Sequence, residues 1–284
     1  MLFRSVIRTL LLAACLGSAA LAGPSWLPSA GTAAAWNSNI TNANRAADIQ
    51  GALRVDADIT TSRRQPLGRD DSLMTTLGAR AEAWPRFDGL DRAGATARLA
   101  WQHKVGLGAF APTFTLEGAG EWLAAREPGR TGRLGLLAIS ARQRLATDWV
   151  ARIRHEHSRN DARATAFDRT ARESTVAIEW EVASGWRLSA AAAYRQGDVL
   201  AYATPPRPDI LRVGRAAGLV TTFDRERPMM SYVIYARTVS WRLESAHSLG
   251  ADQTLAVAAE YRDTTRGAVT YLNRNLSLGL GRRF

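Results

Sequence analysis

Val176-Ala177-Ile178-Glu179-Trp180-Glu181-Val182-Ala183-Ser184-Gly185-Trp186-Arg187-Leu188-Ser189-Ala190-Ala191-Ala192-Ala193-Tyr194 decides the fold. Before the small-residue break, Val176, Ile178, Trp180 and Val182 alternate with Ala177, Glu179 and Glu181. After it, Trp186, Leu188, Ala190, Ala192 and Tyr194 alternate with Arg187, Ser189, Ala191, Ala193 and Arg195. Successive side chains of a strand point to opposite faces, so a period of two builds one apolar and one polar face. The two runs read as a hairpin. A loop Ala183-Ser184-Gly185, with Gly185 in the left-handed conformation, pairs Val182 with Trp186 and Trp180 with Leu188. It also sets Glu181 opposite Arg187 as an ion pair on the polar face. A two-residue loop would place apolar Val182 against Arg187 and is rejected.

The pattern recurs along the chain. Leu53, Val55, Ala57 and Ile59 alternate with Arg54, Asp56, Asp58 and Thr60, and Leu255, Val257, Ala259 and Tyr261 with Thr254, Ala256, Ala258 and Glu260. A loop at Ala146-Thr147-Asp148 likewise pairs Leu145 with Trp149. A soluble β-sandwich shares such alternation, but its strands run to about 5–6 residues. Here most segments run to 11–13, close to the roughly 9–11 tilted residues that cross a bilayer. Trp149 and Trp186 open strands directly after a tight turn and Trp180 lies just before one, the placement of an interfacial aromatic girdle. The chain ends Leu276-Ser277-Leu278-Gly279-Leu280-Gly281-Arg282-Arg283-Phe284. This ending resembles that of bacterial outer-membrane β-barrel proteins, whose last strand alternates apolar residues and stops on Phe. Leu276, Leu278, Leu280 and Phe284 fit; Arg282 stands where that family usually has an aromatic residue. The resemblance implies an all-β transmembrane antiparallel barrel, inserted by the barrel-assembly machinery that reads such an ending. The short stretches 36–40 and 271–276 look similar to the edge strands of several barrel groups and assign no subfamily.

Eleven strands are expected near 52–62, 72–84, 92–104, 112–124, 133–145, 149–159, 173–183, 186–196, 230–247, 253–263 and 269–284. A bacterial barrel with both ends in the periplasm needs an even number. The stretch 33–41, anchored by Trp36 and Ile40, supplies a twelfth; ten and fourteen are the neighbouring counts. Turns at 146–148, 183–185 and 249–252 are short, and loops at 160–172 and 197–229 are long, so the long ones face outward. Within the longest, the 210–223 part (Ile210, Val213, Ala217 and Val220) fits a short helix by its three-to-four spacing as well as it fits a strand. No change of composition marks a second domain, so residues 23–284 form one barrel.

The N-terminus has the order of an export signal: Arg4 and Arg8, then an uncharged stretch Leu10–Ala22 ending Ala20-Leu21-Ala22. Cleavage after Ala22 removes the one cysteine, Cys15, and lowers the formal charge from +11 to +9 by the loss of the two arginines. Leu12-Ala13-Ala14-Cys15 also resembles a lipoprotein box, which would make Cys15 a lipidated N-terminus. Beyond this segment every apolar run is broken well short of the roughly 20 residues of a spanning helix. Of 37 basic residues only Lys104 is lysine.

The polar faces point into the lumen. Arg142, Arg144, Arg152 and Arg154 gather on one hairpin with only Glu156 nearby. Like charges facing each other destabilise a sheet unless an anion or carboxylate screens them, so the cluster favours a narrow anion-preferring diffusion channel for small solutes. A closed structural or anchoring barrel filled with Arg–Glu pairs is the alternative, and a lipid-modifying outer-membrane enzyme the third reading. For the last, His155-Glu156-His157-Ser158 is the one suggestive cluster, but Ser158 follows His157 directly, so their side chains take opposite faces. His155 and His157 share a face without a third metal ligand, and no phosphate loop, dinucleotide motif or nucleophile elbow occurs. No catalytic residue, cofactor or metal is assigned. The arginines Arg159, Arg163, Arg169, Arg172, Arg207, Arg212, Arg225 and Arg227 are expected to face the lipid and lipopolysaccharide phosphates of the outer leaflet. An exported barrel in the outer membrane of a Gram-negative-type cell does not meet nucleic acid.

Overall fold

The computed structural model describes residues 26–183, 185–224 and 226–284; the expected export signal 1–22 and Cys15 lie outside them, as do Ser184 and Arg225. The strands are β1 (Leu27–Asn37), β2 (Ala52–Pro66), β3 (Asp71–Ala83), β4 (Arg92–Lys104), β5 (Thr113–Ala125), β6 (Gly132–Arg144), β7 (Trp149–Ala162), β8 (Arg169–Ala183), β9 (Trp186–Ala203), β10 (Gly214–Val220), β11 (Met229–Ser248), β12 (Gln253–Arg266) and β13 (Val269–Arg283). All pair antiparallel with their neighbours. The sheet closes because β13 returns to β1 and β9 pairs with β11. Twelve long strands therefore form a barrel, and short β10 attaches to the projecting end of β11. Full closure pairs the edge amides and carbonyls that an open sheet would leave bare.

The first strand is Leu27–Asn37 rather than 33–41, so Trp36 sits in the wall while Ile40 lies in the loop above it. Strands also run further toward the loop end than their apolar alternation suggests. β7 continues to Ala162 and β8 begins at Arg169, which shortens the expected 160–172 loop to six residues. His157, Arg159 and Asp161 interrupt the apolar face there, but a backbone ladder needs no apolar side chains to continue. The long loop is 204–228, and its helical spacing yields a single turn, α1 (Pro208–Leu211), followed by strand β10. Loop length does not sort the two ends strictly: Gly267-Ala268, with Gly267 at φ +58°, closes β12–β13 in two residues at the loop end.

At the turn end Trp180 opposes Leu188 and Glu181 opposes Arg187, with Gly185 at φ +80°. Between them and the turn a register shift sets Ala183, not Val182, against Trp186. The bulge accommodates one more residue in β8 than the simple loop allows. Leu145 donates its N–H to the Trp149 carbonyl at 2.9 Å, the pairing read from the sequence.

The outward face carries large apolar side chains: Leu137, Ile139, Ile153, Trp122, Trp241, Leu243, Leu276, Leu278, Leu280 and Phe284 are all exposed. An exterior this apolar calls for hydrocarbon rather than water as its solvent. Trp149 stacks on Trp180 with ring centroids 5.2 Å apart, and Trp180 donates its indole N–H to Asp148 at 3.0 Å. Trp186 stacks on His247 at 4.3 Å. Each ring is apolar against the wall and polar at one edge, as suits an interface. Leu137, 65% exposed, lies near the middle of β6. Leu137→Arg should lower folding stability in lipid vesicles by about 2–4 kcal/mol, measured by urea titration of tryptophan fluorescence.

Candidate functional site

Small residues make one side of the lumen. Gly31, Ala33 and Ala35 of β1, Ala256 and Ala258 of β12, and Ser277, Gly279 and Gly281 of β13 share the inward face. The opposite side, β2 to β8, carries the long charged chains. Arg80 binds Glu121 with a 2.6 Å contact, and a Cβ added at Gly94 would come within 2.5 Å of that carboxylate, so glycine makes room for the pair. Arg54 pairs with Asp56 at 2.9 Å and Arg98 with Glu117 at 3.6 Å.

The arginine cluster of β6 and β7 is reorganised by these neighbours. All four side chains lie on the inward face, with Arg142 directly opposite Arg152. Yet Arg154 is held by Glu117 and Glu156, both at 3.0 Å, and Arg152 by Glu179 at 3.2 Å. Glu117 stands on β5 and Glu179 on β8, so two carboxylates beyond the hairpin neutralise what looked like an isolated positive patch. Arg144 donates to the Thr147 carbonyl, and Arg142 has no carboxylate partner among the described residues. Glu181 and Arg187 face each other in register, both exposed, with no ion pair between them.

Above this network the loop end is capped. The β9–β11 hairpin projects past the barrel and presents Leu200, Tyr202 and Val233 to Phe87 and Phe167, which come from the loops after β3 and β7. Val220 and Phe223 complete the cluster, with Tyr202 and Phe223 centroids 4.8 Å apart. The hairpin also carries Ala201, Ala203, Tyr232 and Ile234, packed with Ile210 of α1 and with Val269 and Tyr271. The loop after β1 fastens this cap: Tyr202 donates its N–H to the Thr41 carbonyl at 2.7 Å, and Asn42 its side-chain amide to the Leu200 carbonyl at 2.8 Å.

Arg207 is the buried centre of the fastening. Its guanidinium reaches Asp48 at 3.4 Å and Asp209 at 2.7 Å, and also binds Asn44. Arg207 is therefore a structural latch and not an outward phosphate-binding side chain, and Arg169 likewise turns into the lumen. Of the arginines assigned outward from the sequence, Arg159 and Arg172 do take the outer face. The Arg207 hydrogen bond lowers the Asp209 carboxyl from its ordinary 3.8 to about 2. A depressed acid contributes its stabilisation fully above its unfolded value and loses it as pH falls through the folded one. Loop 204–228 should thus resist proteinase K equally at pH 7 and pH 5, whereas Arg207→Ala, which strands Asp48, should make it cleavable at both; gel analysis of the fragments reports the result.

Beneath the cap lies a polar cavity of ≈ 530 Å³. Six arginines line it, Arg54, Arg92, Arg130, Arg169, Arg195 and Arg262, against four carboxylates, Glu82, Glu173, Asp198 and Glu260. Nothing in the sequence spacing singled out this group, because its members come from many different strands and loops.

His155 and His157 share the outward face and Ser158 the inward one. A partner the chain spacing did not show is Ser174, whose hydroxyl lies 2.9 Å from His155 Nδ1 across β7 and β8. No carboxylate hydrogen-bonds His155 among the described residues, and no group of three or more His, Cys, Asp or Glu there is placed to hold a metal.

No protein-family model matches the sequence, and no curated protein compared with it matches either. Solved structures do. An outer-membrane channel from Pseudomonas putida F1 superposes over 94% of this chain and 99% of its own with a TM-score of 0.58 at 9% identity. The KdgM porin (TM-score 0.46, 7% identity, 90% of this chain and 99% of its own) and the CymD monoaromatic hydrocarbon channel (0.46, 9%, 98% and 93%) are more distant in shape. The chain folds as a closed twelve-stranded antiparallel barrel of the bacterial outer-membrane type.

Proposed function

We propose that this barrel is a diffusion channel of the outer membrane that passes small solutes and prefers anions. The observation that carries the reading is the set of inward guanidinium groups that make no ion pair among the described residues: Arg169 and Arg195 at the cavity and Arg142 at the turn end. A lined passage with excess guanidinium raises the local anion concentration and opposes cations. The superposition on an outer-membrane channel supports the transport reading. In this orientation the turn end lies in the periplasm and the cap faces outward, and the apolar cluster under Phe87, Phe167 and Phe223 acts as the outer constriction.

The Arg–Glu network and the cap also favour a second reading, a closed anchoring barrel. Planar-bilayer recordings separate the two. Under a potassium chloride gradient the channel should give discrete steps with a reversal potential displaced toward that of chloride. Phe223→Ala should enlarge or lengthen those steps by thinning the constriction. A silent bilayer with both proteins favours the closed barrel, and cation preference overturns the anion reading.

Two partners accompany the proposal. Arg133, Arg159, Arg172, Arg237 and Arg274 project outward near the loop end, where guanidinium groups are suited to lipid and lipopolysaccharide phosphates. The ending Leu276, Leu278, Leu280 and Phe284 lies on the outward face of β13 and the chain end after it, available to the barrel-assembly machinery before insertion.

A further inference from the structure

We infer that the cavity beneath the cap contains a binding site for a small hydroxylated oxyanion: a carboxylate or phosphate carried on a carbon frame with free hydroxyls. The inference rests on the channel reading for its purpose, but on separate observations for its chemistry. Six buried side-chain polar atoms lack a hydrogen-bond partner among the described residues. Three of them line this one cavity: Arg169 Nε, Asn273 Oδ1 and the Tyr271 hydroxyl, which has the Thr264 side chain beside it but keeps its own proton to donate. Buried polar groups are ordinarily satisfied, so a cluster of unsatisfied ones around a polar space marks a place where something else supplies the partners.

Most other charges at the cavity are accounted for. Arg54 is tied to Asp56, Arg92 to Glu82, Arg130 to Glu127 and the Tyr202 hydroxyl, and Arg262 to Glu260. Asp198 accepts the Thr170 N–H. Arg169 has neither ion pair nor side-chain hydrogen bond among the described residues, and the charged groups acting on it include Arg92, Arg130 and Arg195, all cationic. Among the described residues Arg195 donates to the Asp198 backbone carbonyl, at 3.3 Å, and to no carboxylate. Arg169 is thus left at the cavity without a carboxylate partner among the described residues, while Arg195 has Glu173 opposite it on the neighbouring strand but makes no ion pair with it. A buried cation without a counterion is costly, and a planar oxyanion that takes two N–H bonds from one guanidinium is its natural complement.

The remaining groups define the rest of the ligand. Asn273 already donates its amide to the Asn39 carbonyl, so its Oδ1 presents an acceptor that calls for an O–H or N–H. Tyr271 offers a hydroxyl donor, and Glu173, which takes the Thr175 hydroxyl at 3.5 Å, has acceptor capacity left. An oxyanion alone satisfies the arginines and leaves these acceptors bare; an anion bearing hydroxyls satisfies both.

Calorimetry on the full chain in detergent micelles, with D-glucuronate, glucose 6-phosphate, acetate and glucose as probes, tests the site. Glucuronate or glucose 6-phosphate should bind saturably, and acetate and glucose at least about tenfold more weakly, the loss expected for one missing charged hydrogen bond. The better of the first two distinguishes carboxylate from phosphate. Arg169→Gln should weaken binding about tenfold or more, and Arg63→Gln, on the outer face of β2 toward the turn end, should leave it unchanged. Should Arg169→Gln fail to show the heat-dependent gel mobility of a folded barrel, Asn273→Leu decides instead, by erasing the preference for glucuronate over acetate. Equal binding of all four probes, no binding, or folded variants that bind like the parent overturns the site. Anion-selective current without saturable binding would leave the channel reading standing, and saturable binding in a barrel that passes no current would remove the channel reading alone.

Discussion

A backbone amide in hydrocarbon has no water to bond, and each unpaired group there costs several kcal/mol. Everything else in this structure follows from meeting that constraint with strands. The β1–β13 and β9–β11 pairings complete the ring. Once it is complete, the side chains are free to divide: those pointing out match lipid, and those pointing in have no solvent but each other and whatever the lumen admits. Leu137 and Ala138 are neighbours in sequence and lie in these two environments, one 65% exposed and the other buried.

The inward charges show what a narrow polar interior demands. Arg154 is stabilised by carboxylates from its own strand and from β5, two strands away. Such pairs hold the walls at a set spacing and consume most of the charge that composition alone would assign to a field. Guanidinium groups that make no ion pair among the described residues remain where the pairing stops, at Arg142 near the turns and at Arg169 and Arg195 beneath the cap. The cap itself is apolar where loops meet and polar where it is fastened, with Arg207 buried among Asp48, Asn44 and Asp209. A guanidinium withdrawn from water is tolerated there because several oxygens replace its hydration.

Much of this is legible in the sequence. Strand number, the inward face of Arg142, Arg144, Arg152 and Arg154, and the Trp180–Leu188 and Leu145–Trp149 pairings follow from side-chain alternation and turn length. Boundaries shift where alternation ceases to report on structure. Alternation ends β7 early and starts β8 late, because polar residues at the loop end leave no apolar stripe, and it leaves 210–223 open between helix and strand, where one helical turn and β10 form. The bulge at Val182 is not legible in the sequence, since a register shift of one residue leaves no mark on composition.

The sequence by itself determined that this chain is a barrel and which side chains face its lumen, because a period of two is a local property of each strand. Only the tertiary structure decided which charges neutralise one another, that Arg207 is a latch while Arg169 has no ion pair among the described residues, and that Tyr271 and Asn273 line one cavity with Arg169 and Arg195. Those relations join residues from distant strands, and the distance between two side chains across a lumen depends on closure and register rather than on anything written near either residue.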